Sequence, residues 1–389
     1  MTLDLRPFAV ALGGFCSFIN LYAPQALLPE LARQFGVGAA DISAVMTAGT
    51  LAIALSAPFA GTVADVLGRK WVVTASMAIA IVPTVLIALA PDVQTIIVLR
   101  FVQGVLLPPI FTVVIAYIGD EWTPQEAASV AGIYVMGASF GGISGRVVPG
   151  VIADLFGWRA GFMVLAVITL VATIIVAFVL PREKNFVKSD GLGASARQML
   201  AHFRNPQLVG TFVVGFGVLF GFISTFTYIA FRLAAPPYSL SNSALGFLFT
   251  TYLVGSFASP LIGRGIAALG RRGLVFTLLA VWLFGILLLL ASPLPVIIVG
   301  LTLCGSCGLL VQAVSTGVVT TTATEGRSSA VGLYTTSFYV GGSLGAFLPG
   351  LTWERFGWPM VVIEVVVMLG VMATALAMTW PGERPPDRA

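Results

Sequence analysis

Residues 129–158, SVAGIYVMGASFGGISGRVVPGVIADLFGW, return at residues 329–358 as SAVGLYTTSFYVGGSLGAFLPGLTWERFGW. Ser129, Gly132, Tyr134, Gly141, Gly142, Gly145, Pro149, Gly150, Phe156, Gly157 and Trp158 each have an identical counterpart 200 positions later, from Ser329 to Trp358. Asp154 meets Glu354, which keeps the charge. An echo of this length in apolar sequence implies two similar membrane-embedded halves, not a stack of short repeats.

Composition agrees. The 389-residue chain is 58% hydrophobic and only 9% charged, whereas a soluble domain carries about 25% charged residues. Water therefore cannot be the solvent for most of its surface. The net charge of +4 is scattered through short loops and forms no basic stripe, which speaks against a nucleic-acid partner. Cys16, Cys304 and Cys307 all lie in apolar stretches, so no disulfide framework is indicated. Cys304 and Cys307 have redox spacing but no second ligand pair, and read as small residues that pack a helix. No metal or cofactor is expected. The N-terminal apolar run is long enough to span a bilayer and is not read as a cleaved signal peptide.

Apolar stretches of spanning length fall at 7–31, 42–66, 71–90, 94–118, 127–153, 159–180, 207–233, 243–267, 273–292, 295–319, 328–353 and 358–380. The fold expected is all-α, with twelve transmembrane helices in two pseudo-symmetric six-helix bundles. Residues 1–181 would form the first bundle, 182–206 a cytoplasmic linker, and 207–389 the second bundle with a short tail. The linker holds Arg182, Lys184, Lys188, Arg197 and Arg204, with an amphipathic surface helix expected at 194–203. With the N-terminus inside, one side collects Arg6, Arg69, Lys70, the linker cations, Arg264, Arg271, Arg272, Arg327, Arg384 and Arg388. The other side keeps Arg33, Arg159, Arg232 and Arg355. That asymmetry puts both termini in the cytoplasm.

After the second span the chain reads Gly61-Thr-Val-Ala-Asp65-Val-Leu-Gly68-Arg69-Lys70. On a helix Gly61, Ala64, Asp65 and Gly68 share one face, three small residues flanking one acid. The frame repeats as Gly263, Gly270, Arg271 and Arg272, with Ala267 in place of the acid, and Pro58 matches Pro260. This resembles the signature loop of the major facilitator superfamily. The resemblance implies a gate in which Asp65 meets the helix N-terminus near 326–329 and Arg69 pairs with Asp120.

Arg100, Gln103 and Gly104 in the fourth span resemble the family motif associated with proton coupling. A guanidinium in the bilayer needs acceptors, and Gln103 one turn away offers one; the alternative is a snorkelling side chain. Gly137, Gly141 and Gly145 line a groove in the fifth span, followed by Pro149. They resemble the glycine-rich motif of exporters of the drug:proton antiporter type, although Gly142 stands where that motif usually has proline. Glycine packing without directional meaning remains open.

Arg146 has only Ala346 as its counterpart, so it should face a cavity, a water path or a partner acid. Glu364 is the one carboxylate well inside a span and the candidate for proton exchange, beside Arg100, Gln103 and Arg146. Glu30 and Asp154 read as surface groups near the span ends. Polar and aromatic candidates for the substrate path are Asn20, Tyr22, Gln25, Arg146, Tyr228, Phe231, Gln312 and Tyr339.

The expectation is a secondary active transporter, not an enzyme, working by alternating access as a monomer in a bacterial inner membrane. Proton-coupled efflux of a small amphipathic or anionic compound stands first. Uptake of a small organic anion or sugar-like solute stands second, and a channel or membrane sensor remains the non-transport alternative. No phosphate-binding loop of the G-x-x-x-x-G-K-[ST] type occurs, so ATP is not the direct driver.

Overall fold

The computed structural model describes residues 4–183 and 199–382. Residues 194–198 of the expected linker helix at 194–203 lie outside them, as do Lys184, Lys188, Arg384 and Arg388, while residues 199–202 are helical. By their contacts, Met1–Leu192 and Leu233–Phe247 group into one compact unit, and Gly193–Arg232 and Leu248–Ala389 into another.

The first unit contains α1 (Arg6–Tyr22), α2 (Leu28–Phe35), α3 (Ala39–Leu67), α4 (Arg69–Ala88), α5 (Val93–Leu106), α6 (Pro108–Glu121), α7 (Pro124–Phe156) and α8 (Trp158–Val179). Further along come α9 (Pro206–Ala234), α10 (Asn242–Leu248), α11 (Leu253–Ala258), α12 (Ile262–Leu288), α13 (Leu294–Thr322), α14 (Arg327–Phe356) and α15 (Trp358–Thr379). No strand occurs among the described residues. Among the described residues, nine helical stretches are long and apolar enough to cross a membrane. One of them, Asn242–Leu288, holds two spans that meet at Gly270, whose φ of 68° and ψ of 166° break the helix. The shorter α1 and the Ser-, Thr- and Gly-rich α14 complete the twelve.

Three expected spans are not continuous, and one of them, 94–118, divides at Leu107 before Pro108 into α5 and α6. The run 7–31 breaks after Tyr22 because Pro24 has no N–H for the helical ladder. A tight turn follows, with Gln25 N bonded to Tyr22 O at 3.1 Å and Leu27 N to Pro24 O at 2.9 Å. Gln25 therefore sits in a turn and not on the first helix. The run 243–267 is interrupted by 3₁₀ turns at Phe249–Tyr252 and Ser259–Leu261, the second carrying Pro260. Its counterpart in the first half, α3, is unbroken α-helix over the same distance despite Pro58.

The repeated glycines set the packing inside each unit. A Cβ on Gly145 would lie 2.5 Å from Ile19 O, and one on Gly345 would lie 2.5 Å from Phe220 O. Gly141 and Gly341 meet Phe15 O and Phe216 O in the same manner. So α7 runs against α1, and α14 against α9, backbone to backbone. Gly137 faces Ala11 O; Ser337 takes its place in the second unit and its hydroxyl donates to Phe212 O at 2.8 Å. Without a hydrophobic drive between helices in lipid, such close approach is what holds spans together.

Candidate functional site

Pro24 also decides the polar interior of the first unit. It gives the Asn20 carbonyl no helical donor, and the Gln25 amide turns to Tyr22, so Leu21 O is freed as well. Arg100 supplies both: Nη1 donates to Asn20 O at 2.8 Å and Nη2 to Leu21 O at 2.6 Å. Gln103 Oε1 accepts from the same guanidinium. Gln103 Nε2 donates to Thr84 Oγ1 at 2.7 Å and to Asn20 Oδ1 at 3.1 Å. Asn20 Nδ2 reaches Thr169 Oγ1 at 3.0 Å on α8. Arg100 is 1% exposed, which overturns the snorkelling alternative: the broken helix end offers the head group acceptors inside the bundle. Gly49 leaves the space, since a Cβ there would stand 2.8 Å from Arg100 Nη2.

A second guanidinium stands on α7. Arg146 is buried; Nε donates to Gln25 Oε1 at 2.8 Å and Nη1 to Gly142 O at 2.8 Å. Its guanidinium carbon lies 3.8 Å from the centre of the Tyr22 ring, a cation–π contact. The Pro24 turn thus places Asn20 and Tyr22 on the helix and Gln25 beyond it, one serving Arg100 and two serving Arg146. Asn20 and Gln25, expected along an open path, are buried partners of arginines.

At the Arg-rich end, Arg69 forms an ion pair with Asp120, and its Nη2 is 3.9 Å from Asp65. Gly68 joins α3 to α4 at a φ of 91°, a conformation that favours glycine. The residue that sequence reasoning missed here is Glu183. Its Oε1 accepts from Arg69 N at 2.8 Å and Oε2 from Lys70 N at 3.2 Å, capping the start of α4. A signal for it exists, because Pro181-x-Glu183 is echoed 200 residues later as Pro381-x-Glu383. Gly61, expected to let a helix approach closely, has nothing within 4 Å of an added Cβ in its own unit. Nearby, the Arg6 side chain holds the Asp4 carboxyl below its usual range by hydrogen bonding. Replacing Glu183 with Ala should cost about 1 kcal/mol of stability. In thermal unfolding of the solubilised protein, Gly68→Ala should add less than its own single effect, because its Cβ would already displace Glu183 Oε1, 2.5 Å away.

In the second unit, Tyr228 is buried and its hydroxyl donates to Ala346 O at 2.6 Å. Its ring packs on Trp353 and Phe231. Tyr228 thus ties α9 to α14 at the position that Arg146 holds in the first half. Tyr339 is buried edge-on to Phe338, and Gln312 is half-buried on α13. Glu364 on α15 is half-buried; Oε1 accepts from Thr352 Oγ1 at 2.7 Å, and Oε2 meets no donor among the described residues. Asp154 and Glu30, read as surface groups, have partners in sequence-distant residues: the amides of Asn242 and Ser243 donate to Asp154 at 3.0 and 2.9 Å, and Asn242 Nδ2 to Glu30 Oε2 at 2.6 Å.

Two repeat-related sets of apolar spans with charged groups held inside them define a multi-span membrane protein. The profile of the Major Facilitator Superfamily matches residues 10–234 and 219–389. The chain belongs to that superfamily, a family of transporters and not of enzymes. It is 31% identical over 363 residues to the MFS-type transporter YybF of Bacillus subtilis (strain 168), covering 93% of this chain and 90% of the relative. It is 29% identical over 360 residues to the inner membrane transport protein YnfM of Escherichia coli (strain K12), covering 92% and 86%. The crystal structure of the nucleoside transporter NupG shares the fold, with a TM-score of 0.79 at 15% identity over 96% of this chain and 100% of that one.

Proposed function

We propose that the protein is a secondary active transporter that exports a small amphipathic or anionic compound in exchange for protons, by alternating access. The moving bodies are the bundles 1–181 and 207–389, joined by 182–206, in a bacterial inner membrane with both termini cytoplasmic and the chain acting as a monomer. The Lys and Arg asymmetry supports that orientation. Asp65, Gly68, Arg69 and Asp120 form the cytoplasmic gate, whose ion pair is already made inside the first unit.

Glu364 carries the proton part of the reading. A carboxylate inside a span with one hydroxyl partner is costly to keep there, and such groups mark ion pathways. Arg100 and Gln103 act as the fixed polar frame of the first bundle, and Arg146, buried against the half-buried Tyr22 ring, holds a positive charge behind that ring that suits an anionic or amphipathic solute. A more distant relative, 23% identical over 367 residues, is the multidrug efflux protein YfmO of Bacillus subtilis (strain 168), which favours export. Arg146 equally supports a second reading, uptake of a small organic anion.

Thermal-shift screening of lipophilic cations, neutral amphiphiles and organic anions identifies the probe compound. Liposomes loaded with a pH-sensitive dye then report proton movement when that compound is added. Saturable flux tied to proton entry is expected; flux without saturation would mean a channel, and binding without flux a sensor. Glu364→Gln should keep compound binding and lose the pH dependence of flux. Unchanged coupling in that variant removes Glu364 from the proton path. Counterflow in inverted and right-side-out vesicles separates export from uptake.

A further inference from the structure

Tyr134 on α7 and Tyr334 on α14 are an identical pair of the repeat, yet their hydroxyls end differently. Each ring lies over a glycine of a neighbouring helix, Gly14 of α1 and Gly215 of α9, where a Cβ would strike the ring edge. The Tyr134 hydroxyl donates to Phe111 O of α6 at 3.4 Å. On α13 the matching carbonyl belongs to Gln312, because Ile96-Ile97-Val98 and Gly104 return 201 residues later as Ile297-Ile298-Val299 and Gly305. That carbonyl is already taken: Thr316 Oγ1 donates to it at 2.9 Å. In the same register Ser315 and Thr316 stand where the first half has Val114 and Ile115.

Two hydroxyls are thereby left inside the second unit without a bond. The Tyr334 oxygen faces the side chains of Ser315 and Thr316, but it and Ser315 Oγ meet no hydrogen-bond partner among the described residues. Tyr334 is 4% exposed and Ser315 0%. Both lie seven residues from the loop that joins α13 to α14, about 10 Å along their helices. The buried apolar cluster of Leu208, Phe212, Val319, Ala323 and Ala330 packs with Tyr334 on the side of that loop, so bulk water does not reach the hydroxyls from there. Thr316 and Gln312 are half-buried one turn apart on α13 and leave the set one accessible edge. Buried hydroxyls in native proteins have partners, and where the protein supplies none a water or a ligand does.

We propose that Tyr334, Ser315 and Thr316 form a binding subsite for an uncharged hydroxyl oxygen: a water in the resting protein, and a solute hydroxyl during transport. Tyr334 donates to that oxygen. The Thr316 oxygen, whose proton is spent on Gln312 O, accepts from it, and Ser315 can do either. A guest here must both accept and donate, which a hydroxyl does and an ether, a carboxylate or an ammonium does not. None of the three side chains is charged, so an ionised group would arrive uncompensated. Val114 and Ile115 give the first unit no such set. The subsite rests on the transporter reading and deepens it, by giving the amphipathic solute a hydroxyl that the second unit recognises.

The test uses the full-length protein in detergent, with Tyr334→Phe, Ser315→Ala and, as the matched control, Tyr134→Phe. Benzyl alcohol and toluene are the probes, alike except for the hydroxyl, and ligand-observed NMR in the same micelles gives their dissociation constants. The parent should bind benzyl alcohol about tenfold more tightly than toluene, the worth of one or two hydrogen bonds. Tyr334→Phe and Ser315→Ala should bring that ratio close to one, and Tyr134→Phe should leave it unchanged. Thermal unfolding without a probe reads the water. Loss of the Tyr334 hydroxyl lowers the unfolding temperature when a water holds it, and raises it when the hydroxyl is merely stranded. A lowered temperature with no preference for benzyl alcohol supports the site and assigns it to water alone. A raised or unchanged temperature together with no such preference overturns it. Neither measurement depends on flux, so failure here leaves alternating access standing, and failure of transport leaves the site standing.

Discussion

Leucine at position 141 is expected to destroy the folded protein. A side chain there must enter the space occupied by the Phe15 carbonyl of α1, and that oxygen belongs to a helix backbone that cannot step aside. Overpacking usually costs about 1–3 kcal/mol, and the upper part of that range or beyond applies when the obstacle is backbone. Because α1 and α7 hold together through this seam, separation of the two helices also strips the Arg146–Gln25 and Arg146–Tyr22 contacts. Fluorescence-detected size exclusion of the detergent-extracted protein should show little or no monodisperse peak. Gly132→Leu on the same helix is the control. A Cβ at Gly132 meets nothing within 4 Å, so this variant should extract and melt as the parent does. Equal yields from the two variants would mean that the glycine seam does not hold the bundle. Gly132 and Gly141 are both conserved between the halves of this chain, and only the contacts separate their roles.

That difference marks where sequence reasoning was sufficient. Hydropathy and the echo from Ser129 to Trp158 specify spans and duplication, because bilayer thickness and backbone self-satisfaction leave few alternatives. The spacing of Gly137, Gly141 and Gly145 likewise marks one helix face. Partners across helices were not legible. The reach of Arg100 to Asn20 O and Leu21 O depends on where the Pro24 turn leaves two carbonyls free, which no local pattern encodes. Tyr228 looks like an interfacial or path residue until its hydroxyl is found on Ala346 O. Asp154 is exposed and near a helix end, so it reads as a surface acid; its hydrogen-bond partners, Asn242 and Ser243, lie nearly ninety positions away. The break at Phe249–Tyr252 has no glycine or proline inside it to announce it.

Loss of Arg100 is the second large effect. In Arg100→Leu the carbonyls of Asn20 and Leu21 stay buried without donors, and Gln103 Oε1 loses its partner, while the leucine fills only part of the space beside Gly49. Each orphaned group costs about 1–3 kcal/mol, and breaking a buried charged cluster by removing one member commonly costs about 3–5 kcal/mol. Thermal unfolding in detergent should move down accordingly, or the variant should fail to accumulate. Arg100→Lys is the informative companion. A single ammonium cannot bridge two carbonyls and a side-chain amide with the fork geometry of a guanidinium, so about half of the loss should remain. Asn20→Ala removes the side chain that joins Thr84, Gln103 and Thr169 but leaves the Asn20 carbonyl in place. If Arg100 acts mainly as the cap of the broken first helix, Arg100→Lys and Asn20→Ala should combine additively. If the guanidinium is held by the side-chain network, the double variant should cost less than the two singles together. The two main-chain contacts at 2.6 and 2.8 Å, against a single side-chain acceptor, favour the cap.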